Sequence, residues 1–170
     1  MNEIQEKRDE ILKFFDQKSK IISDGIYAIS ESGLYYFETE KYVQNDAERN
    51  WIITKIMIFD IEKANLIHEY FTDHDYETFA WITKDNIDYL LFPEFLGGYS
   101  IFDTQLNKLH SFYTKDDPFI WQNIEFDLIN NQLIVEGNYW ACPTEIITYK
   151  CLEITQLPYF IFKRCYPKNH

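Results

Sequence analysis

Ile58-Phe59-Asp60 runs through a polar turn into Leu66-Ile67-His68-Glu69-Tyr70-Phe71-Thr72, and Ile101-Phe102-Asp103 runs through another into Leu109-His110-Ser111-Phe112-Tyr113-Thr114. A third stretch in the same register, Ile147-Thr148-Tyr149-Lys150, leads to Leu157-Pro158-Tyr159-Phe160-Ile161-Phe162. The offsets are 43 residues (59 to 102) and 47 residues (102 to 149). Each stretch is preceded by two shorter apolar runs: Ile26–Ser30 with Leu34–Glu38, Phe79–Thr83 with Tyr89–Phe92, and Ile124–Ile129 with Leu133–Gly137. β-branched and aromatic residues suit a pleated, half-buried surface, so each group predicts four short strands. The chain from 25 to 164 therefore reads as one antiparallel four-strand unit used three times.

Working outward, the expected strands are 26–30, 33–39, 51–60, 65–72, 78–83, 87–94, 98–103, 108–114, 119–129, 132–138, 144–151 and 158–164. Ser32-Gly33, Asp85-Asn86 and Asn130-Asn131 stand where tight hairpins need residues that tolerate positive φ. Only the opening segment has a helical period. Ile4, Ile11, Leu12 and Phe15 fall on one stripe, and Glu3, Glu6, Lys7, Glu10 and Lys13 take the other side, which predicts an amphipathic helix over 3–19. Its polar face is neutral rather than basic, so the expected use of the stripe is packing on its own domain, not docking on a membrane.

A period of 40–50 residues with four strands resembles the blade of a β-propeller, and the Phe-Asp strand ending resembles the Trp-Asp position of WD-type blades. The resemblance spans 26–163, without the Gly-His half of that signature. Three blades do not close a ring, which leaves two arrangements. The sheets curl into one bent or barrel-like sheet plugged by the helix, or they form an incomplete ring whose open ends pair between subunits. Glu38, Glu40 and Lys41 look like charged protection of a sheet edge and argue for the first.

The chain has 170 residues, 46% of them apolar, with 28 acids against 16 bases and a net charge of −12. One domain over 1–170 is expected, since this length buries most of its surface and so much apolar side chain excludes disorder. Charge is uneven: residues 21–162 hold 23 acids and 8 bases, a net of −15. That field repels phosphate backbones, and only Lys163-Arg164 interrupts it, which excludes nucleic acid and anionic membrane as expected partners. No apolar run reaches the roughly 18 residues of a membrane span, and MNEIQEKRDEILKFF carries charges where a signal peptide has its apolar core, so a soluble cytoplasmic protein is expected. Cys142, Cys151 and Cys165 form no C-x-x-C pair and read as reduced, mostly buried thiols.

The most individual stretch runs Glu136-Gly137-Asn138-Tyr139-Trp140-Ala141-Cys142-Pro143-Thr144-Glu145-Ile146-Ile147-Thr148-Tyr149-Lys150. It resembles the G-x-x-W-A-C-P-x-E-x-x-x-Y-D signature of uncharacterised bacterial proteins of propeller-like composition, with Lys150 departing from the acidic last position. That resemblance implies a fold and no reaction. Tyr139, Trp140, Cys142 and Glu145 are the candidate contact residues of this loop. Catalysis by Cys142 would need a neighbouring cation to stabilise its thiolate, and the acidic field and Trp140 act the other way, so a packed hairpin thiol is expected. A second loop, His68-Glu69-Tyr70-Phe71-Thr72-Asp73-His74-Asp75-Tyr76-Glu77, offers Asp73 and Asp75 for contact, with His68 and His74 as candidate metal ligands. Its spacing matches no named metal loop, so a polar loop is expected and no cofactor is implied.

Aromatic-rich acidic domains also bind or cut sugars, and Tyr35, Tyr36, Trp51, Trp81, Trp121 and Trp140 are available for stacking, although aromatics on strands mostly pack on each other. Gly97-Gly98 lacks the helix and lysine of a phosphate loop and reads as a turn. The expectation is a non-catalytic, acidic interaction module, monomeric or dimeric, that binds a basic protein as bacterial immunity or antitoxin-type proteins do. The alternative is a small hydrolase or carbohydrate-binding domain with its site near Trp140–Glu145.

Overall fold

The computed structural model describes residues 6, 9, 12, 20–22, 25, 27–45, 50–72, 78–94, 98–112, 119–139, 142–151, 153–156 and 161–165. The expected helix over 3–19 lies outside them except at Glu6, Asp9 and Leu12, which are helical and exposed. The described strands are β1 (Lys20–Ile22), β2 (Tyr27–Ile29), β3 (Tyr35–Asn45), β4 (Asn50–Asp60), β5 (Asn65–Thr72), β6 (Ala80–Lys84), β7 (Ile87–Pro93), β8 (Tyr99–Asp103), β9 (Lys108–Phe112), β10 (Phe119–Asp127), β11 (Gln132–Tyr139), β12 (Glu145–Lys150) and β13 (Ile161–Cys165), with one 3-10 turn at Ile154–Gln156. Every ladder is antiparallel. Strands β2 to β5, β6 to β9 and β10 to β13 are the three repeated meanders, and β1 adds to the first beside β3. They remain three separate sheets, none closed on itself, rather than one bent sheet.

The chain divides into two compact units, Met1–Glu77 and Thr78–His170. In the first, β3 and β4 pair over eleven residues, from Tyr35↔Asp60 to Asn45↔Asn50. The strand continues beyond the expected end at 39, and β2 and β1 line up along its outer side. Glu38, Glu40 and Lys41 therefore sit on an interior strand, not on a protected edge. One face of this sheet is apolar and buried: Phe37, Ile56, Ile58 and Tyr70. The alternate positions form a second face, described below.

In the second unit two sheets share one core. Ile82, Leu91, Tyr99 and Ile101 come from one, and Phe119, Trp121, Ile124, Leu133, Val135 and Ile147 from the other. Tyr99 stacks on Trp121 with centroids 4.6 Å apart and on Phe112 at 5.2 Å, geometry that adds to the area the rings bury. Gly137 fits where no other residue does: a Cβ there would lie 2.1 Å from the Ile120 carbonyl oxygen. Strand β8 is buried at every position, so its polar groups need partners. Ser100 meets that need by hydrogen bonding at 2.6 Å to Glu94 and at 2.7 Å to the Ser111 hydroxyl.

The turns explain the Phe-Asp endings. After Phe59-Asp60 and Phe102-Asp103 the aspartate Oδ1 accepts a backbone N–H three residues on, from Lys63 and Leu106, each at 2.9 Å. Phe126-Asp127, between β10 and β11, is a third copy, with Asn130 N donating to Asp127 at 3.1 Å. Each four-residue turn closes through a left-handed residue: Ala64 (φ 50), Asn107 (φ 49) and Asn131 (φ 50). Asp85 (φ 53) and Asn86 (φ 62) make the two-residue hairpin turn that their sequence predicts.

Candidate interaction face

The residues singled out by sequence distribute as follows. Tyr139 ends β11, opposite Phe119 in the ladder, with ring centroids 5.0 Å apart, and packs against the core of its unit. Cys142 N donates to Tyr139 O at 2.9 Å, a tight turn that carries the thiol beyond the strand ends. Cys142 is exposed, against the expectation of a packed thiol. Cys151 is buried, and burial pushes its thiol up, with Lys84 opposing. Glu145 opens β12 opposite Gly137 and is only 8% exposed, on the same side of the strand as Ile147. Trp140, Asp73, His74 and Asp75 lie outside the described residues. His68 is half-buried on β5 opposite Ile58, its ring 6.1 Å from that of Tyr70. Among the described residues, no three His, Cys, Asp or Glu side chains come together as a bound cation requires. His110, on β9, is held below its ordinary value by burial first and Lys108 second, with Asp103 opposing.

The second face of the first sheet stands out instead. Nine large apolar side chains are exposed among the described residues, and five of them, Tyr27, Ile29, Leu34, Ile61 and Leu66, belong to this sheet and its turns. The ladder explains why they cluster. Ile29 faces Tyr36, Tyr36 faces Phe59, and Phe59 faces Leu66, so one transverse row crosses β2, β3, β4 and β5 on one side. Residues opposed across a ladder share a face, with Cβ atoms about 5 Å apart. Ile29 is 50% exposed and Leu66 43%. Tyr36 and Phe59 stack at 4.7 Å, tilted by 7°. The adjacent row reads Tyr27, Glu38, Met57, Glu69, in which Tyr27 is 58% exposed and Met57 buried.

Charge on this face is mostly negative. Lys55 is engaged, 3.0 Å from Glu69 and 5.9 Å from the centroid of the Phe71 ring. Tyr42 donates its hydroxyl to Glu40, and burial with that hydrogen bond pushes its phenol up to about 12. Glu38 has no lysine or arginine partner among the described residues. The Tyr36 phenol is raised by desolvation first, then by Glu38 and Tyr27. A half-exposed aromatic row beside an unneutralised carboxylate presents apolar area and a negative charge together.

Tyr36 is the member of the row Ile29, Tyr36, Phe59 and Leu66 that sequence reasoning named for stacking. Tyr27 and Ile29 carry an alternation that fits a covered face equally well. No family model matches the chain, and no curated protein matches it.

Proposed function

We propose that the chain is a non-catalytic interaction module that binds a basic protein on the outer face of its first sheet. The observation that carries this reading is the row Ile29, Tyr36, Phe59 and Leu66, exposed at its two ends and half-buried in its middle, with Glu38 beside it unpaired among the described residues. Interfaces place aromatic anchors at their centre and polar groups around them, and charge complementarity sets partner choice and encounter rate. The net of −15 over 21–162 supports a cationic partner and disfavours phosphate-bearing ones. A concrete form is an immunity- or antitoxin-type protein whose target is a basic nuclease or similar toxin; charge and size support it.

The test is recovery of partners by the immobilised chain from its own cell, washed at about 0.1 M and about 1 M salt, over which the screening length falls from roughly 10 Å to roughly 3 Å. The expected result is a basic protein that binds at low salt and is largely released at high salt. Recovery of no basic protein, or binding indifferent to salt, counts against the reading.

A further inference from the structure

We infer that Tyr27, Tyr36 and Glu38 form a recognition site for the guanidinium group of an arginine on the partner protein. This rests on the basic-partner reading and names the group that the face would grip.

The three side chains meet because of the ladder. Tyr27 of β2 is directly opposite Glu38 of β3, and Tyr36 is two residues before Glu38 on the same side of β3. The Tyr27 and Tyr36 rings stand 5.2 Å apart at 43°, so they form an open V and not a closed stack. Tyr36 is held from its other side by the nearly parallel Phe59 ring, which fixes one wall of the notch before anything binds. Tyr27 has more than half its surface in water.

Among the described residues the charge of the notch is uncompensated. Beside it in the same row is Met57, which is apolar. Lys55 on this face is taken by Glu69, and Lys63 is taken by Asp60 at 2.6 Å. Glu38 is thus a half-buried carboxylate beside Tyr27 and, among the described residues, without a cation. Tyrosine faces attract cations through their quadrupole, and a carboxylate beside them adds direct attraction. Guanidinium fits better than ammonium for two reasons. It is flat and weakly hydrated, so it stacks on a ring at little desolvation cost, and its forked N–H groups reach both oxygens of one carboxylate while it does so. The apolar row beyond, from Ile29 to Leu66, would then take the partner's neighbouring apolar side chains.

The test uses the full chain and two capped peptides of equal charge, hexa-arginine and hexalysine, followed by calorimetry and by NMR of the tyrosine rings at low salt. The expected result is tighter binding of hexa-arginine, by about fivefold, with the largest shifts at the Tyr27 and Tyr36 rings. Tyr27→Ala and Glu38→Gln should each weaken hexa-arginine by about fivefold and leave hexalysine nearly unchanged, while Tyr27→Phe, which keeps the ring, should bind as the parent does. Glu38→Gln is nearly isosteric, so it remains informative where Tyr27→Ala disturbs the short β2 strand. Equal binding of both peptides, unchanged in the variants, overturns the site but leaves the basic-partner reading standing. Binding of neither peptide overturns both.

Discussion

Asp60, Asp103 and Asp127 do the same local work in three turns: a carboxylate oxygen takes the N–H of the residue three places on. Hydrogen bonds to the ionised form hold Asp60 and Asp127 below the ordinary aspartate value of 3.8, through Lys63 in one case and Asn130 in the other. A depressed folded value means stability that is fully present above 3.8 and lost as pH falls from there through the lower folded value. Denaturant midpoints should therefore decline on acidification below that value, and less steeply in Asp60→Asn and Asp127→Asn. His110 adds to acid sensitivity from a higher pH. Its imidazole is depressed by burial, so protonation below its ordinary value of 6.5 favours the unfolded chain, and His110→Gln should flatten the profile there. Ala64 holds φ 50 without the side-chain compensation of an asparagine, so Ala64→Gly should raise stability by about 0.5 to 1 kcal/mol in urea unfolding. Two of these aspartates were legible as Phe-Asp strand endings, but their role was not. The third escaped because the repeat alignment carries the motif to Ile147–Lys150, while this turn chemistry follows any hairpin that needs four residues.

The strands were legible because alternation of β-branched and aromatic residues with turn residues between them survives whatever the neighbouring sheets do. All twelve expected strands overlap a described one, and β5 matches at both ends. What escaped was β1 and the continuation of β3 over Glu40–Asn45, where both faces carry polar side chains and the periodicity fades. Strand β8 shows the opposite failure. Its Ser100 suggests a solvent side, yet both faces are buried, and the pattern alone does not reveal that Ser100 answers Glu94 and Ser111. Ser100→Ala should cost about 1–3 kcal/mol, because it strips a hydrogen bond from a buried carboxylate. Gly137→Ala tests the β10–β11 contact. With a Cβ 2.1 Å from backbone oxygen the ladder must part locally, and a loss of about 1–3 kcal/mol is expected by urea titration.

On the scale of the whole chain, the charge balance was readable at once and the half-exposed apolar face was not. Net charge is a sum over residues, whereas exposure of Tyr27, Ile29 and Leu66 depends on what covers a sheet, a tertiary fact that alternation does not encode. The loop of Tyr139 to Glu145 drew attention through unusual residues, yet its described members serve packing and a turn: Tyr139 against Phe119, Cys142 in the turn, Glu145 across from Gly137. The acidic field and the aromatic row belong to one account, in which charge draws a basic protein in and the row with Glu38 holds it. Photocrosslinking in the cell of origin tests that most directly, with a photoreactive side chain placed at position 29 or, for reference, at position 129, where Ile129 is 92% exposed in a turn. The account predicts that one basic protein is captured from position 29, in lower yield when Glu38→Gln is added, and is not captured from position 129. Capture of no protein or of an acidic one at position 29, or the same products from both positions, would contradict it.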